Sequence, residues 1–297
     1  MTPRPTGFPL LAVAALIGGM VSLALGTSFA KSLFPAIGAE GTTAYRVVFA
    51  AAILLVVWRP WRRTLTRRDA AAIALYGATL GALNLLFYKA LETIPFGIAV
   101  ALEFTGPLAV AIASSRRAID FLWIAIATAG LLLLLPLGGA AGPLDPAGVA
   151  YALGGGLCWA LYIVFGQRAG SVHGGQVTSL GLTVAAFVVA PFGAATAGTA
   201  LLDPGLLVAG LAVAVFSSAL PYSLEMVALK RLPKRSFSVL LSLEPALSAL
   251  AGLVVLDERL GPLQWVAIAC IIAASAGSAA GAGSGGPAPA PATAAAD

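Results

Sequence analysis

Residues 90–107 read Ala90-Leu91-Glu92-Thr93-Ile94-Pro95-Phe96-Gly97-Ile98-Ala99-Val100-Ala101-Leu102-Glu103-Phe104-Thr105-Gly106-Pro107, and their opening recurs farther along the chain. Ala90 to Pro95 aligns with Ala228-Leu229-Lys230-Arg231-Leu232-Pro233 at an offset of 138, and the same offset pairs Pro107 with Pro245. Lys31 and Arg168 pair at 137, and Trp123 and Trp265 at 142, four residues having been gained around Asp257-Glu258. Each match is short. Their shared spacing, at corresponding places in long apolar runs, indicates an internal duplication.

Working outward, those runs account for most of the chain. Of its 297 residues, 60% are hydrophobic and 10% charged, and the mean hydropathy is +0.97. Soluble domains carry about 25% charged residues, so a water-soluble enzyme and a disordered protein are both excluded. An integral membrane protein remains, and spans of roughly 20 apolar residues are expected. Ten runs qualify, covering 8–30, 42–58, 70–88, 94–115, 121–141, 147–167, 177–202, 205–229, 237–256 and 260–282. Backbone groups in lipid must pair within their own segment, so these runs are expected to be helices. The alternating strands of a β-barrel are missing from the pattern. The first run exceeds the signal-peptide core of about 7–15 residues, so a retained helix is expected.

The basic residues orient the spans. Arg4, Arg59, Arg62, Arg63, Arg67, Arg68, Arg116, Arg117, Arg168, Lys230, Arg231, Lys234 and Arg235 fall at the N-terminus or in alternate loops, 13 of the 17 in all. Lys31, Lys89 and Arg259 lie on the other side, and Arg46 lies within a run. By the positive-inside rule both termini are cytoplasmic. The net charge of +5 is therefore a topology signal, and nucleic acid is not an expected partner.

The expected fold is all-α and integral to the membrane, with ten transmembrane helices in two five-helix repeats, residues 1–141 and 142–282. Residues 283–297, rich in Ala, Pro and Gly, read as a disordered cytoplasmic tail. Five spans per repeat make the copies inverted relative to one another. Inverted repeats characterise secondary transporters, whose substrate site lies near the midplane between the halves. No Walker-type phosphate loop is present, so alternating access driven by a gradient is expected, with the lipid bilayer and a small-molecule substrate as partners.

Several segments sharpen this reading: Glu103-Phe104-Thr105-Gly106-Pro107 with Ser114-Ser115-Arg116-Arg117, then Leu220-Pro221-Tyr222-Ser223-Leu224-Glu225-Met226, and Ser242-Leu243-Glu244-Pro245-Ala246. With Ala30-Lys31-Ser32-Leu33-Phe34-Pro35 and Gly166-Gln167-Arg168-Ala169-Gly170, they resemble the EamA-type branch of the drug/metabolite transporter superfamily. Within it they resemble the threonine/homoserine exporters of the bacterial inner membrane. The resemblance covers about residues 10–280. It implies a ten-helix basket with a central cavity lined by helices 1, 3, 4, 6, 8 and 9. It also implies export of small neutral amino acids in exchange for protons, at the inner (plasma) membrane, with no cofactor.

An ionisable group at the centre of a membrane helix costs about 2.5–3.5 kcal/mol on insertion scales, which makes it a functional candidate. Glu103 and Glu244, some nine and eight residues into corresponding runs, are candidates for carrying a proton in one state and a substrate ammonium in another. A satisfied structural carboxyl is the plainer alternative. Glu225, about one turn from Lys230, reads either as an interfacial ion pair or as a cavity residue. Arg46, about one turn from the start of its run, reads either as snorkelling to the interface or as pairing with a membrane carboxylate. Pro107 and Pro245 are each expected to kink a helix and free a carbonyl one turn earlier. Asn84, Tyr88, Trp159, Tyr162 and Tyr222 are candidate cavity residues with polar tips, though Tyr and Trp are also ordinary interface anchors. Gly77 and Gly81 form a GxxxG pair suited to close helix packing.

Cys158 and Cys270 read as small apolar residues, and His173 as a solvated loop histidine with no metal-ligand partner. No catalytic set or zinc motif is present, so an enzyme is not expected. The alternatives are the same fold carrying a purine, quaternary ammonium compound, drug or sugar, and, less favoured, a channel, for which no selectivity-filter sequence is recognisable.

Overall fold

The apolar runs fold as helices in a computed structural model that describes residues 10–62, 64–113, 118–134, 144–168, 174–221, 224, 228, 240 and 243–282. The principal helices are α1 (Leu10–Lys31), α2 (Phe34–Trp58), α3 (Arg67–Leu91), α4 (Phe96–Glu103), α5 (Thr105–Ala113) and α6 (Ala118–Leu134). They continue as α7 (Pro146–Arg168), α8 (Gly174–Ala197), α9 (Pro204–Ala214), α10 (Glu244–Val255) and α11 (Pro262–Ala282). Among the described residues there is no strand. Five segments are long and apolar enough to cross a membrane: Leu10–Lys31, Phe34–Arg62, Arg67–Leu91, Pro146–Gly166 and Gly175–Leu202. Five shorter apolar helices accompany them, Phe96–Val110, Phe121–Leu133, Pro204–Ala219, Glu244–Val255 and Pro262–Ala274.

Three helices depart from the sequence reading. The second begins at Phe34 instead of Thr42, running through a kink at Gly38, whose φ of 69° and ψ of 175° lie outside helical space. Only glycine takes up that backbone conformation without steric cost. Arg46 therefore lies deep in α2, not one turn from its start.

The fourth run is divided at Phe104, leaving Glu103 as the last residue of α4. Pro107 has no N–H to offer the Glu103 carbonyl, so the ladder is open at that point. Thr105 Oγ1 donates to Leu102 O at 2.6 Å and turns the chain locally.

Pro245 occupies the first turn of α10, where a missing N–H costs nothing. Glu244 accordingly heads its helix. The earlier part of that run, 237–239 and 241–242, lies outside the described residues. So do His173 and the tail from 283 onward.

Packing joins the two halves of the chain. α2 packs on α8 and α9, α3 on α7 and α8, α4 on α7 and α10, α6 on α11, and α1 on α10. The GxxxG pair acts as expected. A Cβ on Gly77 would meet the Gly181 carbonyl, and one on Gly81 would approach Val188 Cβ to 2.9 Å, so α3 and α8 touch backbone to backbone there. The buried core runs through α2, α3 and α4, with Ile37, Tyr88, Leu91, Ile94 and Ile98 among its fully enclosed side chains. The site described next is embedded in it.

Candidate functional site

Arg46 is 6% exposed, so it does not snorkel to an interface. Its Nη1 donates to Asn84 Oδ1 at 3.0 Å, Nε to Ser218 Oγ at 3.2 Å and Nη2 to the Ser217 carbonyl at 3.1 Å. Its guanidinium carbon stands 5.4 Å from the centre of the Tyr88 ring, a cation–π distance. Asn84 amide nitrogen donates to Leu80 O at 2.8 Å, which turns its carbonyl towards Arg46. Asn84 and Tyr88 are four residues apart on α3, so both meet Arg46 from one helix face.

The second-half contribution is unusual. After α9 the chain makes a π-helical turn, Val215–Ala219. Such turns are rare, and they loosen the helical ladder so that carbonyls can face outward. The Phe216 carbonyl accepts from Ser22 Oγ of α1 at 2.7 Å, and the next carbonyl, that of Ser217, accepts from Arg46. α1 presses close: a Cβ on Gly26 would come within 2.8 Å of the Phe216 carbonyl carbon and the Ser217 nitrogen.

Glu103 is also 6% exposed, and its Oε1 is buried without a hydrogen-bond partner. α7 faces it at Gly155, where a Cβ would stand 2.7 Å from that oxygen. Among the described residues, Glu244 and Arg46 are charged groups whose fields reach Glu103. Helix packing thus brings three of the four charged candidates into one neighbourhood. Glu225 and Tyr222 lie outside the described residues.

The remaining candidates divide. Tyr88 is fully buried with its hydroxyl unpartnered. Trp159 is edge-on to Phe104 at 5.6 Å, beside the break after Glu103. Tyr162 is drawn elsewhere, stacked on Tyr76 at 4.6 Å with the two hydroxyls 3.1 Å apart. Pro107 is half-buried and Pro245 buried. Among the described residues no cluster of His, Cys, Asp and Glu could hold a metal ion.

Ser217, Ser218 and Gly155 were missed as site residues. The adjacent hydroxyls of Ser217-Ser218 in an otherwise apolar run, and the three glycines 154–156, were the signals available.

The EamA-like transporter family matches residues 10–136 and again residues 146–279, one match in each half. The chain belongs to this family. It is 50% identical over 267 residues to the threonine/homoserine exporter RhtA of Escherichia coli (strain K12), covering 90% of both chains. It is also 50% identical over 273 residues to the RhtA of Salmonella typhimurium (strain SL1344), covering 92% of both. A solved crystal structure matches it with a TM-score of 0.58 at 18% identity, covering 89% of this chain and 96% of that one, a likeness of fold. This EamA-family chain is a membrane transporter and not an enzyme.

In this EamA-family chain a second polar group gathers at one helix end. Lys31 Nζ meets Glu258 Oε1 at 2.6 Å, and Lys89 Nζ meets Glu40 at 3.0 Å and Glu92 at 2.8 Å. Glu258 Oε2 also accepts from the Phe96 N–H at 2.7 Å, capping α4, and Glu92 accepts from the Ala39 N–H at 3.2 Å. Glu258, in the segment before α11, thus ties α1 to α4, and the Lys89–Glu40 and Glu92–Ala39 bonds tie α3 to α2. Asp145 stands at the start of α7, where the Thr93 hydroxyl and the N–H groups of Ala147 and Gly148 hold its carboxyl below the usual range.

Proposed function

We propose that this transporter exports small neutral amino acids of the threonine and homoserine kind across the bacterial inner membrane, in exchange for protons, by alternating access. The observation that carries the reading is Glu103. Its unpartnered, buried oxygen lies within electrostatic reach of Arg46, an arrangement complementary to the two charges of a zwitterionic amino acid. The names of the two relatives support the cargo. In the proposed cycle Glu103 holds the substrate ammonium in one state and a proton in the other, with Glu244 as its partner.

The proposed topology is ten spans in two inverted repeats, 1–141 and 142–282, with both termini cytoplasmic. The packing supports it. Exchanging the first five spans for the last five turns the contact of α3 with α7 into that of α1 with the end of α9. The same exchange turns α3 on α8 into α2 on α9, and α1 on α10 into α4 on α7. The contacts of α2 with α8, α4 with α10 and α6 with α11 map onto themselves. That is the pattern of a pseudo-twofold axis lying in the membrane.

The test is counterflow in proteoliposomes. Internal L-threonine or L-homoserine is expected to drive uptake of labelled L-threonine, and an imposed proton gradient to drive net transport. Exchange of a purine, quaternary ammonium compound or sugar in place of amino acids would overturn the cargo. Indifference to the proton gradient would overturn the coupling.

The ion pairs at Lys31 and Lys89 are proposed to close the outer end. Charge-assisted hydrogen bonds contribute about 1.5–3 kcal/mol each, so Glu258→Gln is expected to favour the outward-open state by about tenfold. The measure is maleimide labelling of a cysteine placed at Ser28, 1% exposed and one turn from Lys31, with Cys158 and Cys270 replaced by Ala. Labelling from outside should quicken by that factor. An unchanged rate would make the Lys31–Glu258 bond a static clasp.

A further inference from the structure

We infer that Arg46 is the carboxylate-binding residue for an α-amino acid, and that the π-helical turn at Val215–Ala219 holds its place when no substrate is bound. The inference rests on the proposed amino-acid transport and assigns the atoms that would recognise the cargo. Arg46 offers its Nε and Nη2 to Ser218 Oγ and Ser217 O, at 3.2 and 3.1 Å. Those two nitrogens form one edge of the guanidinium, the edge that takes a carboxylate in a two-bond fork. The two oxygens of the turn therefore stand where the two oxygens of a carboxylate would fit. Both are neutral, and an ionised carboxylate on the same edge makes the stronger, ion-paired fork. The remaining described bond, from Nη1 to Asn84, and the Tyr88 ring 5.4 Å away keep the guanidinium in position during the exchange.

Two further observations point to a ligand. Glu103 Oε1 and Tyr88 Oη are buried without partners on the helices around Arg46, and a buried polar atom left unmatched costs about 1–3 kcal/mol. A ligand with an ammonium and a carboxylate supplies the Glu103 oxygen with a donor and the Arg46 edge with an acceptor. The exchange also links binding to movement. Once Arg46 leaves the Ser217 carbonyl, the π-turn loses a tie to α2, although Ser22 of α1 still holds the Phe216 carbonyl. A helix with one tie removed at its irregular turn is free to shift against α2. Substrate binding and the relation of the two halves are thereby coupled through one side chain.

The test uses the intact transporter in proteoliposomes, with L-threonine, L-threoninamide and 1-amino-2-propanol as competitors in amino-acid counterflow. The parent should prefer L-threonine over both analogues lacking the carboxylate by at least about tenfold. Arg46→Lys keeps the charge but loses the fork, and should bring that preference close to one. Ser218→Ala removes a competing acceptor and should lower the KM for L-threonine about tenfold, the lower end of what a hydrogen bond to an ionised group contributes. Amide exchange across 213–221 should respond to L-threonine in the parent and not in Arg46→Lys. If the parent exchanges no amino acid, the proposed function falls and this inference with it. If amino acids are exchanged but Arg46→Lys keeps the preference, or Ser218→Ala leaves KM unchanged or higher, the inference alone is overturned.

Discussion

Glu103→Gln is expected to raise the KM for L-threonine by about 10- to 100-fold and to abolish the response of transport to an imposed proton gradient. The first effect follows from the charge. A hydrogen bond to an ionised group contributes about 1.5–3 kcal/mol, and each 1.4 kcal/mol is about tenfold in affinity. Gln presents an oxygen of the same shape to the ammonium without the charge. The second effect follows from the proton, since an amide cannot bind and release one in the relevant pH range. The substitution is nearly isosteric, so the fit against Gly155, where a Cβ would stand 2.7 Å from Oε1, is retained and the fold should persist. The measurement is counterflow and gradient-driven flux of the variant in proteoliposomes, with monodispersity in detergent as the check on folding. A variant with the parent's KM and the parent's gradient response would reduce Glu103 to a structural carboxyl.

The membrane character of the chain was legible in its charge content, because a lipid-facing surface excludes the residues that coat a soluble one. The intramembrane carboxylates were legible for the same reason: Glu103 stands out where nearly every neighbour is apolar. Arg46 was misplaced because Phe34-Pro35-Ala36-Ile37-Gly38-Ala39-Glu40-Gly41 reads as a loop, with proline, glycines and a charge. The structure runs a helix through it by kinking at Gly38, and Arg46 is carried inward. The two prolines show a different limit. Pro107 and Pro245 were expected to kink helices from within, yet each stands in the first turn of a helix, α5 and α10. The residue reads alike in both settings, so proline alone cannot choose between a kink and a helix start. Ser217 and Ser218 were illegible as Arg46 partners because the π-turn that presents them is held by hydrogen bonds donated by Arg46 and Ser22 from other helices. Local sequence holds no record of that contact.

The glycines where α7 meets α3, α4 and α5 should yield a graded series. Gly106→Val is expected to give no folded transporter, or one less stable by more than about 3 kcal/mol, the upper end of typical overpacking costs. A Cβ at Gly106 would fall on the carbonyl of Gly156, and backbone in a helix cannot rotate away as a side chain can. Gly156 is constrained as well, since its own Cβ would come within 2.8 Å of the Glu103 carbonyl. Gly154→Ala is the opposite case. Its Cβ would meet only the Leu86 Cδ1 methyl at 3.3 Å, and a rotamer adjustment relieves that, so thermal stability in detergent should stay near the parent's. Gly155→Ala lies between them. Its new methyl would press on Glu103 Oε1, which can turn aside, so the protein should fold but transport should fall. Normal transport by Gly155→Ala would mean that the Glu103 carboxyl tolerates reorientation, which a specific ammonium site does not. The order Gly154, Gly155, Gly106 thus separates packing from function around α7, because the obstacle changes from methyl to carboxylate to backbone.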